Sequence, residues 1–324
     1  MVKYLAFLRW KNLAIIAVMV FSLKYWVFET LIISTGFIQF PSTFTFLHTF
    51  LLAVSIILVA GGGYIINDIN DTIADRINKS DQPLLLDSIS EKQAHLLYFI
   101  LTVTGISLAW YLATALGFYQ FVFFHLISAA LLWIYSTYFK SSILIGNLIV
   151  SVLSALVPLC YFCFETYSFI NTYGKVFESQ YHSYFAVGPL LTFWYYTLVL
   201  AIFAFAYTLI REIVKDLEDL EGDKKLDGDT LPLAIGSSNT LWIVRVLLTA
   251  VIASIISVYY LKLQVKPFNG IVFHGYIYIT LIFPSLYLIW LTFKTEVDYE
   301  KASRILKIIM LFGIFSTYLF YTFQ

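Results

Sequence analysis

Two short stretches of this chain carry carboxylates at one repeated spacing. Residues 65–83 read IINDINDTIADRINKSDQP, and from Asp216 the chain reads DLEDLEGD, so Asp-x-x-Asp-x-x-x-Asp occurs as Asp68, Asp71 and Asp75 and again as Asp216, Asp219 and Asp223. On a helix, positions i, i+3 and i+7 fall within an arc of about 60°, so each row is expected on one helix face. Asn67 borders the first face, and Glu212 stands one turn before Asp216. Carboxylates converging from both rows repel one another strongly unless cations sit between them. Oxygen-only ligands select hard divalent ions, and sites shared with phosphates are typical of Mg2+.

Basic residues accompany the acids. Arg76, Lys140, Arg211, Lys215, Lys224 and Lys225 are expected at the same level as the two rows. Acids for metals mixed with bases for oxyanions describe a diphosphate site, and a diphosphate head with a lipid-soluble tail suits its setting. Two Mg2+ ions on an allylic diphosphate stabilise the leaving group, so the C–O bond ionises to an allylic cation without a strong base. Aromatic faces stabilise such a cation, and an apolar cavity keeps water from quenching it. For either row alone, a solvated helix end at the membrane surface is an equal alternative; the same spacing twice on one side argues against it.

The elements that must position these residues are membrane helices. Of 324 residues, 60% are hydrophobic, 19% aromatic and 12% charged, against about a quarter charged in soluble domains. Apolar runs near 11–34, 45–66, 94–117, 119–138, 143–164, 187–210, 240–261, 271–293 and 305–323 are each long enough to cross a hydrocarbon core of about 30 Å as an α-helix. They are continuous rather than alternating, which excludes a transmembrane barrel. The expected fold is all-α, a multi-pass bundle of nine transmembrane helices, with the first run retained rather than cleaved.

Lys24, Lys175, Lys262 and Lys266 fall on one side of that bundle and every other Lys and Arg on the amino-terminal side. That bias places the amino terminus, both aspartate rows and the cavity between them in the cytoplasm. One domain over 1–324 is expected, with polar active-site loops at 67–92 and 212–238 and an aromatic-rich segment, 165–186, lying outward along the interface. Four spans separate the rows, so the implied repeat is parallel, whereas many transporters carry inverted repeats. Cys160 and Cys163 read as small apolar membrane residues, the five histidines make no metal-ligand pattern, and no Walker loop appears. Nucleic acid is not an expected partner; membrane lipid is.

The motifs resemble those of the UbiA superfamily of intramembrane prenyltransferases. NDINDTIAD is similar to the family's first motif, which implies that Asn67, Asp71 and Asp75 bind Mg2+ and diphosphate. KDLEDLEGD is similar to the second, implying that Asp219 and Asp223, helped by Asp216, hold the other Mg2+. YSTYFK resembles the fourth-helix segment that makes Tyr135 and Lys140 diphosphate contacts, and the first-helix Arg-x-x-Asn is present as Arg9 and Asn12. The resemblance thus implies Asp71 and Asp219 as catalytic, with Arg9, Asn12, Arg76, Tyr135, Lys140 and Lys215 binding substrate.

Within the superfamily, LIREIVKDLEDLEGD followed by TLPLAIG is most similar to the branch whose acceptor is geranylgeranylglyceryl phosphate. For such an acceptor Lys224 and Lys225 are candidate phosphate partners, or simply a solvated loop. The chain departs from the family where Gln82 precedes Pro83, where Leu86 and Asp87 replace a Ser-Gly pair, and where Asp227 takes a glycine position with Gly228 one residue late. Two other readings share some of these residues. An aromatic prenyltransferase of the same superfamily shares the ionisation step. A cation-coupled transporter would place its charges near the bilayer midplane, not at helix ends.

Overall fold

A computed structural model describes residues 8–72, 85–181, 188–225, 228–260 and 271–322. Among them nine helices are long and apolar enough to cross a membrane, and no strand occurs. The spans are Trp10–Ser34, Phe46–Asn70, Glu91–Ala115, Tyr119–Phe139, Ile145–Ser179, Leu190–Glu218, Ser237–Val258, Ile271–Leu291 and Tyr299–Leu319, numbered first to ninth below. Thr45 and Ser90 cap the second and third spans, and His48 and Gln93 complete a capping box at each.

The second span must approach its neighbours closely, and its three consecutive glycines allow this. A Cβ on Gly63 would lie 2.6 Å from a Leu132 methyl of the fourth span, and one on Gly105 of the third span 2.8 Å from the Ser55 carbonyl. Small residues at helix contacts are the membrane solution, because lipid gives no hydrophobic drive to helix association. The consequence is positional: Asn67 and Asp71 leave the second span one and two turns after this contact.

Two spans run past their apolar stretches. The second continues to Asn70, and Asp71 is its C-cap. The sixth continues to Glu218 and so carries Glu212, Lys215 and Asp216 on helix. The row is not on one unbroken helix, however. The chain bends at Asp219 and resumes as the short helix Leu220–Lys225, with Asp223 N–H donating to the Asp219 carbonyl at 3.0 Å.

The segment expected along the outer interface differs more. The fifth helix runs on through Ser179 and turns Glu165, Thr166, Ser168, Phe169 and Phe177 inward; residues 182–187 lie outside the described residues. The reason is that its polar groups have partners. Lys24 and Glu165 are 2% and 0% exposed, with Nζ 3.3 Å from Oε2. Lys24 also donates to the Phe44 carbonyl at 2.5 Å and to Ser42. Ser42 and Tyr161 in turn donate to the Glu165 carboxylate at 2.6 and 2.5 Å. Around this knot pack Phe28, Phe44, Phe164, Phe169 and Phe193, with Phe28 edge-on to Phe193 at 4.9 Å, a geometry aromatic pairs favour.

Breaking a buried pair by removing one partner costs about 3–5 kcal/mol, whereas replacing both by apolar groups is often neutral. Lys24→Met is therefore expected to lower the melting temperature in detergent substantially, and Lys24→Met with Glu165→Leu to recover most of it. An unchanged melt in the single variant contradicts the pairing.

Candidate active site

A cavity of about 940 Å3 lies within the bundle, walled by the first, second, fourth, fifth, sixth and ninth spans. Its deep end is apolar: Met19, Cys160, Leu200 and Ile314 line it and belong to the aromatic-rich core around the Lys24 knot. Its mouth is charged, and Asp71, Asp216, Asp219 and Asp223 all line it. Asp71 of the first row and all three aspartates of the second, far apart in sequence, face one space.

Each row is held by local contacts. Asn67 donates through Nδ2 to Asp71 Oδ2 at 2.5 Å, and Lys140 at the end of the fourth span ion-pairs with the same carboxylate. The oxygen of the Asn67 amide, Oδ1, is buried without a hydrogen-bond partner among the described residues. Asn70 donates to the Ser136 carbonyl at 2.9 Å, tying the second span to the π-helical turn Tyr135–Phe139 that delivers Tyr135 and Lys140 to the mouth. Such π turns are frequent at functional sites. Across the mouth, Asn147 donates to Asp216 Oδ2 at 2.7 Å, and Asp229 N–H donates to the Ser141 carbonyl at 3.0 Å. Gly228 N–H donates to the Asp223 carbonyl at 3.0 Å, closing the second loop's turn one residue later than in the resembled pattern.

Burial, followed by repulsion from Asp219, raises the Asp223 carboxyl above the ordinary carboxylate range. Among the described residues no three His, Cys, Asp or Glu side chains converge on one point. The mouth therefore offers carboxylates in ones and twos, not a closed cage.

Not every anticipated residue sits where its spacing suggested. Asp68 is absent from the cavity lining and pairs with Arg9 at 2.9 Å, and Arg9 also lies over the Tyr64 ring, 5.0 Å from its centroid. Arg9, Asn12, Tyr135, Lys140 and Lys215 do line the cavity. Asp75 and Arg76 lie outside the described residues. Lys224 and Lys225 are exposed and line no part of the cavity, which leaves the solvated loop as their place. Asn147 and Lys307 line the cavity without having been singled out. Both stand inside apolar spans, and a polar or charged residue within a span was the signal that could have found them.

Residues 27–314 match the UbiA prenyltransferase family. The chain belongs to the UbiA prenyltransferase family. It is a prenyltransferase and an integral, multi-pass membrane protein. Among UbiA-family relatives, the digeranylgeranylglyceryl phosphate synthase of Sulfolobus acidocaldarius is 32% identical over 231 residues, 71% of this chain and 73% of the relative. That of Methanopyrus kandleri is 30% identical over 263 residues, covering 79% and 81%. A solved structure described as giving insight into digeranylgeranylglyceryl phosphate synthase in membranes superposes with a TM-score of 0.62 at 24% identity, covering 97% of this chain and 96% of that one. A UbiA homologue from Archaeoglobus fulgidus bound to DMAPP and Mg2+ superposes with a TM-score of 0.56 at 17% identity, covering 98% and 99%. At these identities the superpositions establish the UbiA fold.

Proposed function

We propose that this protein transfers a geranylgeranyl group from its allylic diphosphate to the free hydroxyl of geranylgeranylglyceryl phosphate, forming a diether lipid. The observation that carries this reading is the meeting of Asp71 with Asp216, Asp219 and Asp223 at the charged mouth of one deep apolar cavity. The relatives named for digeranylgeranylglyceryl phosphate synthesis support the acceptor, and the DMAPP and Mg2+ of the Archaeoglobus homologue support the donor class and the metal.

The residues present fit a divalent cation shared with a diphosphate. Mg2+ keeps near-octahedral geometry and takes one or two carboxylates plus phosphate oxygens rather than a dedicated protein cage, which is what a mouth with scattered carboxylates provides. The unpartnered Asn67 oxygen beside Asp71 is a ligand atom in waiting. In this reading Asn67, Asp71 and Asp75 hold one ion, and Asp219 and Asp223, with Asp216, hold a second. Bound Mg2+ supplies charge neutralisation to the diphosphate as it leaves.

The chain's own residues do the rest. Lys140 would exchange Asp71 for the diphosphate, whose negative charge it then helps to neutralise. Tyr135, beside it on the π turn, directs its hydroxyl to the same head group. Lys215 contributes its charge from the opposite wall, Arg76 from the first loop, and Arg9 with Asn12 steadies the first span against Tyr64 and Asp68. The apolar depth takes the prenyl chain and excludes water while the allylic C–O bond opens with its electron pair going to diphosphate. The acceptor oxygen then bonds to the allylic carbon, and its proton leaves with the diphosphate. The Lys and Arg bias supports a mouth and amino terminus on the cytoplasmic side.

The test offers radiolabelled geranylgeranyl diphosphate and Mg2+ to purified protein in lipid, with geranylgeranylglyceryl phosphate in one tube and aromatic quinone precursors in another. A labelled diether in the first tube alone is expected. A prenylated aromatic in the second overturns the acceptor while keeping the donor chemistry.

A further inference from the structure

Two cations in the cavity wall, Arg211 and Lys307, are not used by the diphosphate reading above, and Lys215 stands beside them. Arg211 and Lys215 stand one turn apart on the sixth span and Lys307 on the ninth, and all three line the cavity. Lys307 lies within electrostatic reach of Arg211, Lys215, Arg9 and Glu212. Among the described residues Glu212 is the carboxylate ion-paired with the group, 2.5 Å from Arg211 Nη1 and 4.0 Å from Lys215 Nζ, and Asp216, Glu218 and Asp223 lie within electrostatic reach of Lys215. Arg9 is taken by Asp68, Lys140 by Asp71, and Asp216 accepts from Asn147.

Two further observations make this a seat for an anion. Lys307 has no hydrogen bond or ion pair among the described residues, and the Arg211 Nε–H is buried without an acceptor. Lys307 is exposed and available to a ligand, and an unsatisfied buried donor such as the Arg211 Nε–H costs its desolvation. The Arg211 Nε–H and the Lys307 ammonium are thus donors available to an anion. A phosphate monoester carries about −1.5 to −2 at pH 7 and three strong acceptor oxygens.

We propose that Arg211, Lys215 and Lys307, between the sixth and ninth spans, bind the phosphate monoester of the lipid acceptor. This rests on the glycerophosphate reading and assigns Lys215 to the acceptor as well as the mouth. The acceptor's one free hydroxyl is on the carbon next to its phosphate-bearing carbon, so seating the phosphate confines the nucleophilic oxygen, which is four bonds from the phosphorus. It also separates two anions in one cavity: the diphosphate goes to the aspartate rows through cations, the monoester directly to basic side chains. Lys224 and Lys225, outside the cavity, take no part.

The experiment measures steady-state kinetics in lipid with the phosphorylated acceptor and with geranylgeranylglycerol, which lacks the phosphate. Lys307→Met is expected to raise the acceptor KM about tenfold to a hundredfold while the donor KM stays within about twofold, as for loss of one charge-assisted contact. Lys307→Arg restores most of it, and the loss is absent with the unphosphorylated acceptor. Arg211→Gln, a second variant should the first fold poorly, is expected to show the same selectivity. Lys224→Ala with Lys225→Ala is expected to leave all constants unchanged. An unchanged acceptor KM in both variants, or equal losses with both acceptors, overturns the phosphate seat and leaves the function standing. A wild-type protein that prenylates only aromatics overturns the reading beneath it.

Discussion

Asp71→Asn and Asp219→Asn are each expected to reduce turnover by about a thousandfold or more, the scale on which loss of a single preorganised electrostatic contact to a developing anion is felt. Asparagine keeps the size of the side chain and one oxygen but removes the charge that holds a divalent cation against a diphosphate. The two positions test opposite walls of the mouth, since Asp71 caps the second span beside Asn67 and Lys140, and Asp219 lies at the bend after the sixth. Neither substitution opens the apolar core. Asp219 is half-buried at a helix junction, and removing the Asp71 charge leaves a Lys140 side chain that is 35% exposed and so remains hydrated. Melting temperatures are therefore expected to stay near wild type, which separates a chemical defect from a folding one. Wild-type rates in both variants would remove the aspartate rows from the site.

Chelation is the second large effect. With Mg2+ withdrawn, turnover is expected to fall below detection and to return when Mg2+ is restored, while the protein stays folded. The structure gives the physical reason for both halves. Without a cation Asp71 is held by Lys140 and Asn67 and Asp216 by Asn147, while Asp219 and Asp223 repel one another. A diphosphate entering that state meets carboxylates that repel it and a lysine already paired. Cations reverse the sign of the rows and free Lys140 for the diphosphate. Because the Asp223 carboxyl titrates above the ordinary range, through burial and then Asp219, protons compete with the cation as pH falls. The Mg2+ concentration giving half-maximal rate should rise as pH is lowered. Thermal stabilisation by a prenyl diphosphate, measured with and without EDTA, reports binding apart from chemistry; equal stabilisation in both contradicts the role of the metal.

Much of this was legible in the sequence, for reasons that differ by element. Nine spans could be read because lipid imposes a length and an apolar run on each helix, and only their ends were misplaced. The aspartate rows could be read because their spacing repeats. Their geometry could not: Asp68 shares the spacing yet turns to Arg9, and the second row crosses a bend at Asp219. Spacing fixes an angle around an ideal helix, and tertiary partners decide which member faces the cavity. The fifth helix shows the same limit. Glu165 read as too polar for the membrane because its partner Lys24 is 141 residues away, and hydropathy has no knowledge of a pairing across the bundle. Lys224 and Lys225, open in the sequence between a phosphate contact and a solvated loop, are exposed on the short helix that follows the bend and line no part of the cavity.

The most direct measurement is a structure of the protein in lipid with Mn2+ in place of Mg2+ and a thio-linked geranylgeranyl diphosphate that does not ionise, with the metals located by their anomalous signal. The expected result is metal density at both rows, one peak beside Asn67 and Asp71 and one beside Asp219 and Asp223, with the diphosphate between them, Lys140 withdrawn from Asp71, and the prenyl chain running toward Met19 and Cys160. Metal and diphosphate found outside the cavity, or a diphosphate bound by lysines with the aspartates unliganded, would contradict it.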